Sequence, residues 1–330
     1  MMDPSADVAV SIVVVAYRQR EELAECLRSC TEAARQVPGG AELIVVDNGG
    51  LAHFIRELRL DVRLIEPGEN TGFAGGVRRG IEAASGKWVA LVNDDARVEH
   101  EALARLLAAG ERDERIGSVA AQVRFQTDPG IVNSAGVDVD SLGVATERLA
   151  GRPITEAQSE CEVFGASGCF ALYRMAMLSQ VGGMDERFFA YLEDVDLAWR
   201  ARAAGWSCVY EPRAIAHHHG SASSGEGSDR KYFLVGRNRV RLLARNATTA
   251  QLLRALPGIA LYDLAYVLYV AFSDHTLAPL QGRIAGLREW RTLRREAREP
   301  RRAVTLSAAS KGWLAALRMR RAYRSMAARG

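Results

Sequence analysis

Four apolar runs separated by helical segments constrain this chain more than any other feature. Residues 9–16 (AVSIVVVA) are a continuous β-branched stretch, the pattern of a strand buried on both faces, and 42–47 (ELIVVD), 62–66 (VRLIE) and 88–92 (WVALV) read as three further strands. Glu21–Val37 and Phe73–Ala84 carry helical periodicity between them. Strands alternating with helices imply right-handed βαβ units, and so an α/β fold with a mostly parallel central sheet and helices on both faces.

Such sheets bind ligands at the carboxyl ends of their strands. Those ends carry Ala16 and Tyr17, then Asp47 and Asn48, then Asn93, Asp94 and Asp95. From about residue 117 the pattern loosens into short pieces (SVAAQV, CFALYR), a helix over Glu193–Ala204 and the run CVYEP, read as a mixed extension that builds the second half of one cleft. The expected organisation is a catalytic domain over 1–230, divided near residue 115, and a helical, basic C-terminal extension over 231–330. By composition GSASSGEGS (220–228) is a flexible loop, a candidate lid.

Three clusters carry chemistry. In VNDDA (92–96), adjacent acids leaving a buried strand need compensation, either by Mg²⁺ or Mn²⁺ with diphosphate oxygens or by capping a helix that begins near Glu99. In FFAYLEDVDLAWRARAAGW (188–206), Glu193, Asp194 and Asp196 crowd a helix start. There they either answer the helix dipole or, beside the aromatic wall of Phe188, Phe189 and Tyr191, include a desolvated general base. In AIAHHHGSAS (214–223), a strand would turn His217 and His219 to one side and His218 to the other, so all three cannot ligate one ion. The Gly-rich ENTGFAGGVRRG (69–80) matches neither the dinucleotide fingerprint nor a P-loop. Its helix N-terminus still favours an anion, which adds Asn70, Gly72, Phe73 and Arg78 to the donor-binding candidates.

Charge is divided along the chain. Residues 283–330 hold 14 basic and 3 acidic residues, a net +11, against −8 for the rest. With the apolar run 259–272 (IALYDLAYVLYVAF), which contains Asp263, the tail reads either as a helix packed on the catalytic domain or as one lying at an anionic membrane surface. No nucleic-acid-reading motif accompanies it, and nucleic acid is not an expected partner. Five scattered cysteines without a CxxC pair, and an acidic N-terminus without a basic leader region, read as a reducing, cytoplasmic setting, which the membrane-surface reading of the tail would put at the inner face of the cell membrane.

Taken in order, VSIVVVAYRQREELAECLRS, ELIVVDNGG, NTGFAGGVRRGI, GKWVALVNDDARV, GCFALYRMAML, GGMDERFFAYLEDVDLAWRARAAGW and EPRAIAHHHGSAS resemble family 2 inverting glycosyltransferases, in particular the rhamnosyltransferase-like and galactofuranosyltransferase-like branch. The resemblance covers about residues 9–225. It implies a GT-A type nucleotide-diphospho-sugar transferase fold, a nucleotide-diphosphate sugar donor, a glycan or polyprenyl-linked acceptor and a divalent metal cofactor, Mn²⁺ or Mg²⁺. By the same resemblance Tyr17 and Asp47 contact the nucleoside, Asn93-Asp94-Asp95 fills the DxD position with Asp95 on the metal, His218 is the histidine ligand, and Asp194 is the general base with Glu193 beside it. Asn93 replaces the first acid of that motif, and Val77-Arg78 stand where relatives often carry asparagine. The competing readings are a sugar-nucleotide pyrophosphorylase, whose basic Gly-rich loop after the first strand AYRQREE lacks, and a non-catalytic module of the same fold.

Overall fold

The computed structural model describes residues 8–219, 227–297 and 302–308, with 318, 319, 321, 322 and 325. The first half runs β1 (Val10–Ala16), α1 (Arg20–Ala34), β2 (Ala41–Asp47), α2 (Ala52–Glu57), β3 (Arg63–Ile65), α3 (Gly72–Ala83), β4 (Trp88–Asn93), β5 (Ala96–Val98) and α4 (Ala102–Gly110). The second runs β6 (Ile116–Phe125), β7 (Val132–Ser134), β8 (Val137–Val139), β9 (Ala145–Glu147), β10 (Cys161–Val163), β11 (Phe170–Arg174), α5 (Met175–Val181), α6 (Glu193–Ala203) and β12 (Ser207–His218). Helices α7 (Asp229–Asn246), α8 (Thr249–Asp274) and α9 (Ala278–Glu296) follow.

Ten strands form one sheet with the order β10-β12-β6-β11-β4-β1-β2-β3, β5 and β7 joining β12 and β6. The β4-β1-β2-β3 side is parallel throughout, as the four apolar runs require. Beyond it β11 inserts antiparallel between β4 and β6, and β6 pairs parallel with β12, so the extension is mixed.

Both faces of β1 are buried, and its alternation divides the core. Val10, Ile12, Val14 and Ala16 pack with α1 and α4, and Val13 and Val15 pack on the α3 side. Helix α3 lies close on the sheet because Gly80 has no side chain: a Cβ there would stand 2.3 Å from Val13 Cγ1. Nearer the helix N-terminus, a Cβ on Gly76 would stand 2.6 Å from Val15 Cγ1 and 3.1 Å from Asn48 Nδ2, so α3 also runs close to the carboxyl ends of β1 and β2.

Three local readings change. The acids after β4 do not cap a helix near Glu99, because β5 intervenes and pairs with β12, and α4 begins after Glu101 without a side-chain cap. The run CVYEP extends through His217 and His218 in one long strand, with a register shift between Glu211 and Ile215. Residues 302–308 are not helical; Ser307 N–H donates to the Val139 carbonyl, and the Ser141 N–H donates back to the Ser307 carbonyl. Of the segment read as a lid, 220–226 lie outside the described residues.

Candidate active site

The parallel register sets one side of the cleft. Ala16 stands opposite Asp47 across β1 and β2, and Val15 opposite Asn93 across β1 and β4, so three strand ends meet in a row. Asn48 ties them to α3: its side-chain amide donates to the Gly72 carbonyl at 2.8 Å, and its Oδ1 accepts from Thr71 Oγ1 at 3.1 Å. Asn70 Oδ1 accepts from the Gly72 N–H at 2.9 Å, and Asp47 Oδ1 from the Gly49 N–H at 3.0 Å. The Arg18 guanidinium lies 4.8 Å over the Tyr17 ring. Ala16, Tyr17, Asp47, Asn48, Asn70, Gly72 and Phe73 therefore belong to one neighbourhood. Arg78 does not join it; its guanidinium is held on the exposed side of α3 by Glu82 and Glu186.

Asp94 and Asp95 are both buried and have different partners. The Tyr17 N–H donates to Asp94 Oδ2 at 2.6 Å. Burial first, then the neighbouring charge of Asp95, push the Asp94 carboxyl up to about 7. Asp95 Oδ1 lies 3.0 Å from His218 Nε2, whose Nδ1 is 3.2 Å from Asn133 Oδ1. Burial opposes both charges of that pair, but their attraction prevails, holding Asp95 below its ordinary value and His218 well above. His217 faces the other way, 3.1 Å from Glu99, as strand alternation requires, and His219 is exposed beyond the strand end, with its N–H on the Asp95 carbonyl.

Helix α6 separates its three acids. Asp196 is fully buried and bonded to Arg200, Arg245 and Asn246, a packing role. Asp194 accepts from the Gly168 N–H at 2.9 Å and the Val195 N–H at 2.7 Å, and burial keeps its carboxyl above the ordinary range despite both. Glu193 is 5% exposed, its Oε2 has no hydrogen-bond partner among the described residues, and burial followed by the Asp194 charge raises it to about 8. The segment before α6 is strained: Phe189, Tyr191 and Leu192 have φ of 66°, 72° and 66°, each a cost of about 1–3 kcal/mol for a non-glycine residue. Asn238 on α7 offsets this by donating to the carbonyls of Phe188, Ala190 and Tyr191.

Gly168 and Cys169 join the two halves. The Gly168 N–H holds Asp194, the Cys169 carbonyl accepts from the Asn93 N–H at 2.9 Å, and the buried Cys169 thiol lies beside His218. Glu147, on β9, was not foreseen. It is bonded by the Ser134 and Ser167 hydroxyls, and burial, then the charge of Asp194, lift it to about 7 while His218 pulls the other way. The three-residue strand ATE gives no periodic signal for it.

Among the described residues no three His, Cys, Asp or Glu side chains are grouped to hold an ion by themselves. One carboxylate and one imidazole, Asp95 and His218, do suit a divalent ion that takes its other ligands from substrate phosphates and water.

The family model described as "Glycosyl transferase family 2" matches residues 11–182, more than half of the sequence. The chain belongs to glycosyl transferase family 2. A similar relative is the N-acetylglucosaminyl-diphospho-decaprenol L-rhamnosyltransferase of Mycobacterium tuberculosis, 30% identical over 240 residues, which span 65% of this chain and 77% of that one. A low-salt glycan biosynthesis hexosyltransferase of Haloferax volcanii is 24% identical over 218 residues, covering 58% of this chain and 61% of its own. Among solved structures, the mannosyltransferase PcManGT from Pyrobaculum calidifontis, in complex with GDP-Man and Mn²⁺, has a TM-score of 0.53 at 17% identity and covers 99% of this chain and 88% of that one. GalNAc-T7 with UDP, GalNAc and Mn²⁺ has a TM-score of 0.58 at 14% identity, over 75% and 49%. The fold is thus that of the GT-A glycosyltransferases, and this family 2 member is a glycosyltransferase.

Proposed function

We propose that this glycosyltransferase moves a sugar, a deoxyhexose such as rhamnose, from a nucleotide-diphosphate donor to a hydroxyl of a polyprenyl-linked or polysaccharide acceptor, with inversion. The observation that carries the reading is the junction at Gly168-Cys169: the Gly168 N–H holds the Asp194 carboxylate, and the Cys169 carbonyl holds the Asn93 N–H, two residues before the Asp95–His218 pair. The name of the mycobacterial relative supports the choice of sugar and a lipid-diphosphate-linked N-acetylglucosamine acceptor.

Asp194 takes the proton of the acceptor hydroxyl as that oxygen bonds to the anomeric carbon from the face opposite the leaving group, and the bond from that carbon to the donor phosphate oxygen breaks. A carboxyl raised by burial is a stronger base than one in water, and two backbone N–H donors fix its orientation. Glu193, kept neutral by burial, adds no second charge beside it. Asp95 and His218 would hold the divalent ion, which when bound supplies positive charge against the departing nucleoside diphosphate. The strand-end residues Tyr17, Asp47 and Asn48, with the α3 N-terminus from Asn70 to Phe73, form the donor side. A nucleotide-sugar donor and a polyprenyl-linked acceptor together fit a reaction at the cytoplasmic face of the cell membrane.

Incubation with a panel of nucleotide sugars and a polyprenyl-diphosphate-linked N-acetylglucosamine tests the reading through nucleoside diphosphate release and the anomeric configuration of the product. A new linkage of inverted configuration with a nucleotide-linked rhamnose is expected; a retained configuration overturns the mechanism.

A further inference from the structure

Helix α8 is 26 residues long, with a mean hydropathy of 1.6 over an 18-residue window of which only 11% is buried. One side is tied to protein. Asp263 Oδ1, in the middle of the helix, accepts from Arg239 Nε of α7 at 2.7 Å and from Arg283 Nη2 of α9 at 2.8 Å. The same two guanidiniums lie 4.9 Å over the Tyr262 ring and 5.2 Å over the Tyr266 ring. The opposite side is apolar and open: Leu253, Leu261, Leu264, Leu268 and Phe272, separated by helix-face intervals, are 47–79% exposed.

The outward stripe of α9 begins in the same way with Leu280, Ile284 and Leu287, 40–60% exposed, and continues at helical spacing into Arg288, Arg291 and Arg295. These three arginines are exposed and form no ion pair among the described residues. An apolar stripe that runs into a cationic one matches acyl chains followed by phosphate headgroups. Length alone would let α8 cross a bilayer, but crossing would carry Asp263 and its two arginine partners into hydrocarbon. In a two-fold contact through this same face, the arginines of one copy would meet those of the other rather than acids.

We infer that the outer faces of α8 and α9 dock the enzyme on the surface of an anionic phospholipid bilayer, with α8 lying in the plane of the interface rather than spanning it. This goes beyond the catalytic reading and does not depend on it.

Co-sedimentation of the full chain with phosphatidylcholine vesicles, with and without phosphatidylglycerol, tests it. The chain is expected to follow the anionic vesicles and to be released by carbonate washing. Each arginine near the surface is worth about 1 kcal/mol, so R288Q/R291Q/R295Q is expected to lower partitioning on the order of a hundredfold. Replacing Leu264 and Phe272 by Ser is expected to weaken it independently. All five positions are exposed, so transfer to a short water-soluble acceptor should be unchanged in both variants. Equal soluble fractions with both vesicle types overturn the inference, as does retention after carbonate washing, which indicates a spanning helix. So does a concentration-dependent dimer, abolished by the Ser substitutions in vesicle-free solution while lipid binding persists. Loss of transfer with vesicle binding intact counts against the catalytic reading alone.

Discussion

The side-chain amide of Asn238, on the first helix of the C-terminal extension, lies 2.8 Å from the carbonyl oxygen of Ala190, in the strained segment that leads to the candidate base. With its bonds to Phe188 and Tyr191 it joins α7 to the start of α6, so the extension helps to shape the site. Asn238→Ala removes the side-chain donor shared by these carbonyls, while that of Phe188 keeps the Ala190 N–H and the Arg237 guanidinium. It is expected to destabilise the fold by roughly 3 kcal/mol and to lower kcat more than it raises the donor KM. Denaturant titration and steady-state kinetics check both; an unchanged kcat contradicts the positioning role.

Gly72 has a φ of +74°, and a Cβ there would lie 2.4 Å from the Phe189 carbonyl oxygen. Gly72→Ala therefore pushes the α3 N-terminus away from the segment before α6. A loss of about 2–4 kcal/mol and a raised donor KM are expected. Calorimetry together with donor titration is the check, and a wild-type KM would show that the helix terminus does not contact the donor.

Glu193 makes stability depend on pH in a stated direction. Its folded-state value, about 8, lies above the 4.5 of a free glutamate, so the folded chain binds the extra proton. The stability this contributes is fully present below the unfolded value and is lost as pH rises through the folded one. Glu193→Gln is neutral at every pH. Its denaturant midpoint is therefore expected to fall less than that of the wild type between about pH 6 and about pH 8. Equal slopes in the two proteins would place Glu193 in solvent.

If Asp95 and His218 hold a divalent ion, chelation abolishes transfer and added Mn²⁺ or Mg²⁺ restores it. His218→Ala is expected to need at least about tenfold more metal for half-maximal rate, and Asp95→Ala to resist rescue. Transfer that persists in EDTA removes the metal from the mechanism.

The parallel half of the fold was legible because β1, β2 and β4 are continuous, largely buried apolar runs, with the shorter β3 at the edge, and because α3 follows a helical period. The extension was harder to read. Short strands such as β9 carry too few residues for a period, so Glu147 gave no sign of itself, and the insertion of β11 between β4 and β6 is a tertiary choice. Alternation along β12 separated His217 from His218, but the partner of each depended on β5, a three-residue strand hidden in what reads as a turn. The three acids of α6 look equivalent in sequence. Only packing shows Asp196 taken by Arg200, Arg245 and Asn246 while Asp194 rests on two backbone N–H groups.

The most direct test is the rate of transfer by Asp194→Asn, measured with donor affinity and folded stability in the same preparation. Loss of a general base is expected to lower kcat by about 10²–10⁴ while donor binding and the cooperative unfolding transition remain. A kcat within a few-fold of the wild type, with the fold intact, would contradict the assignment of Asp194 as the base.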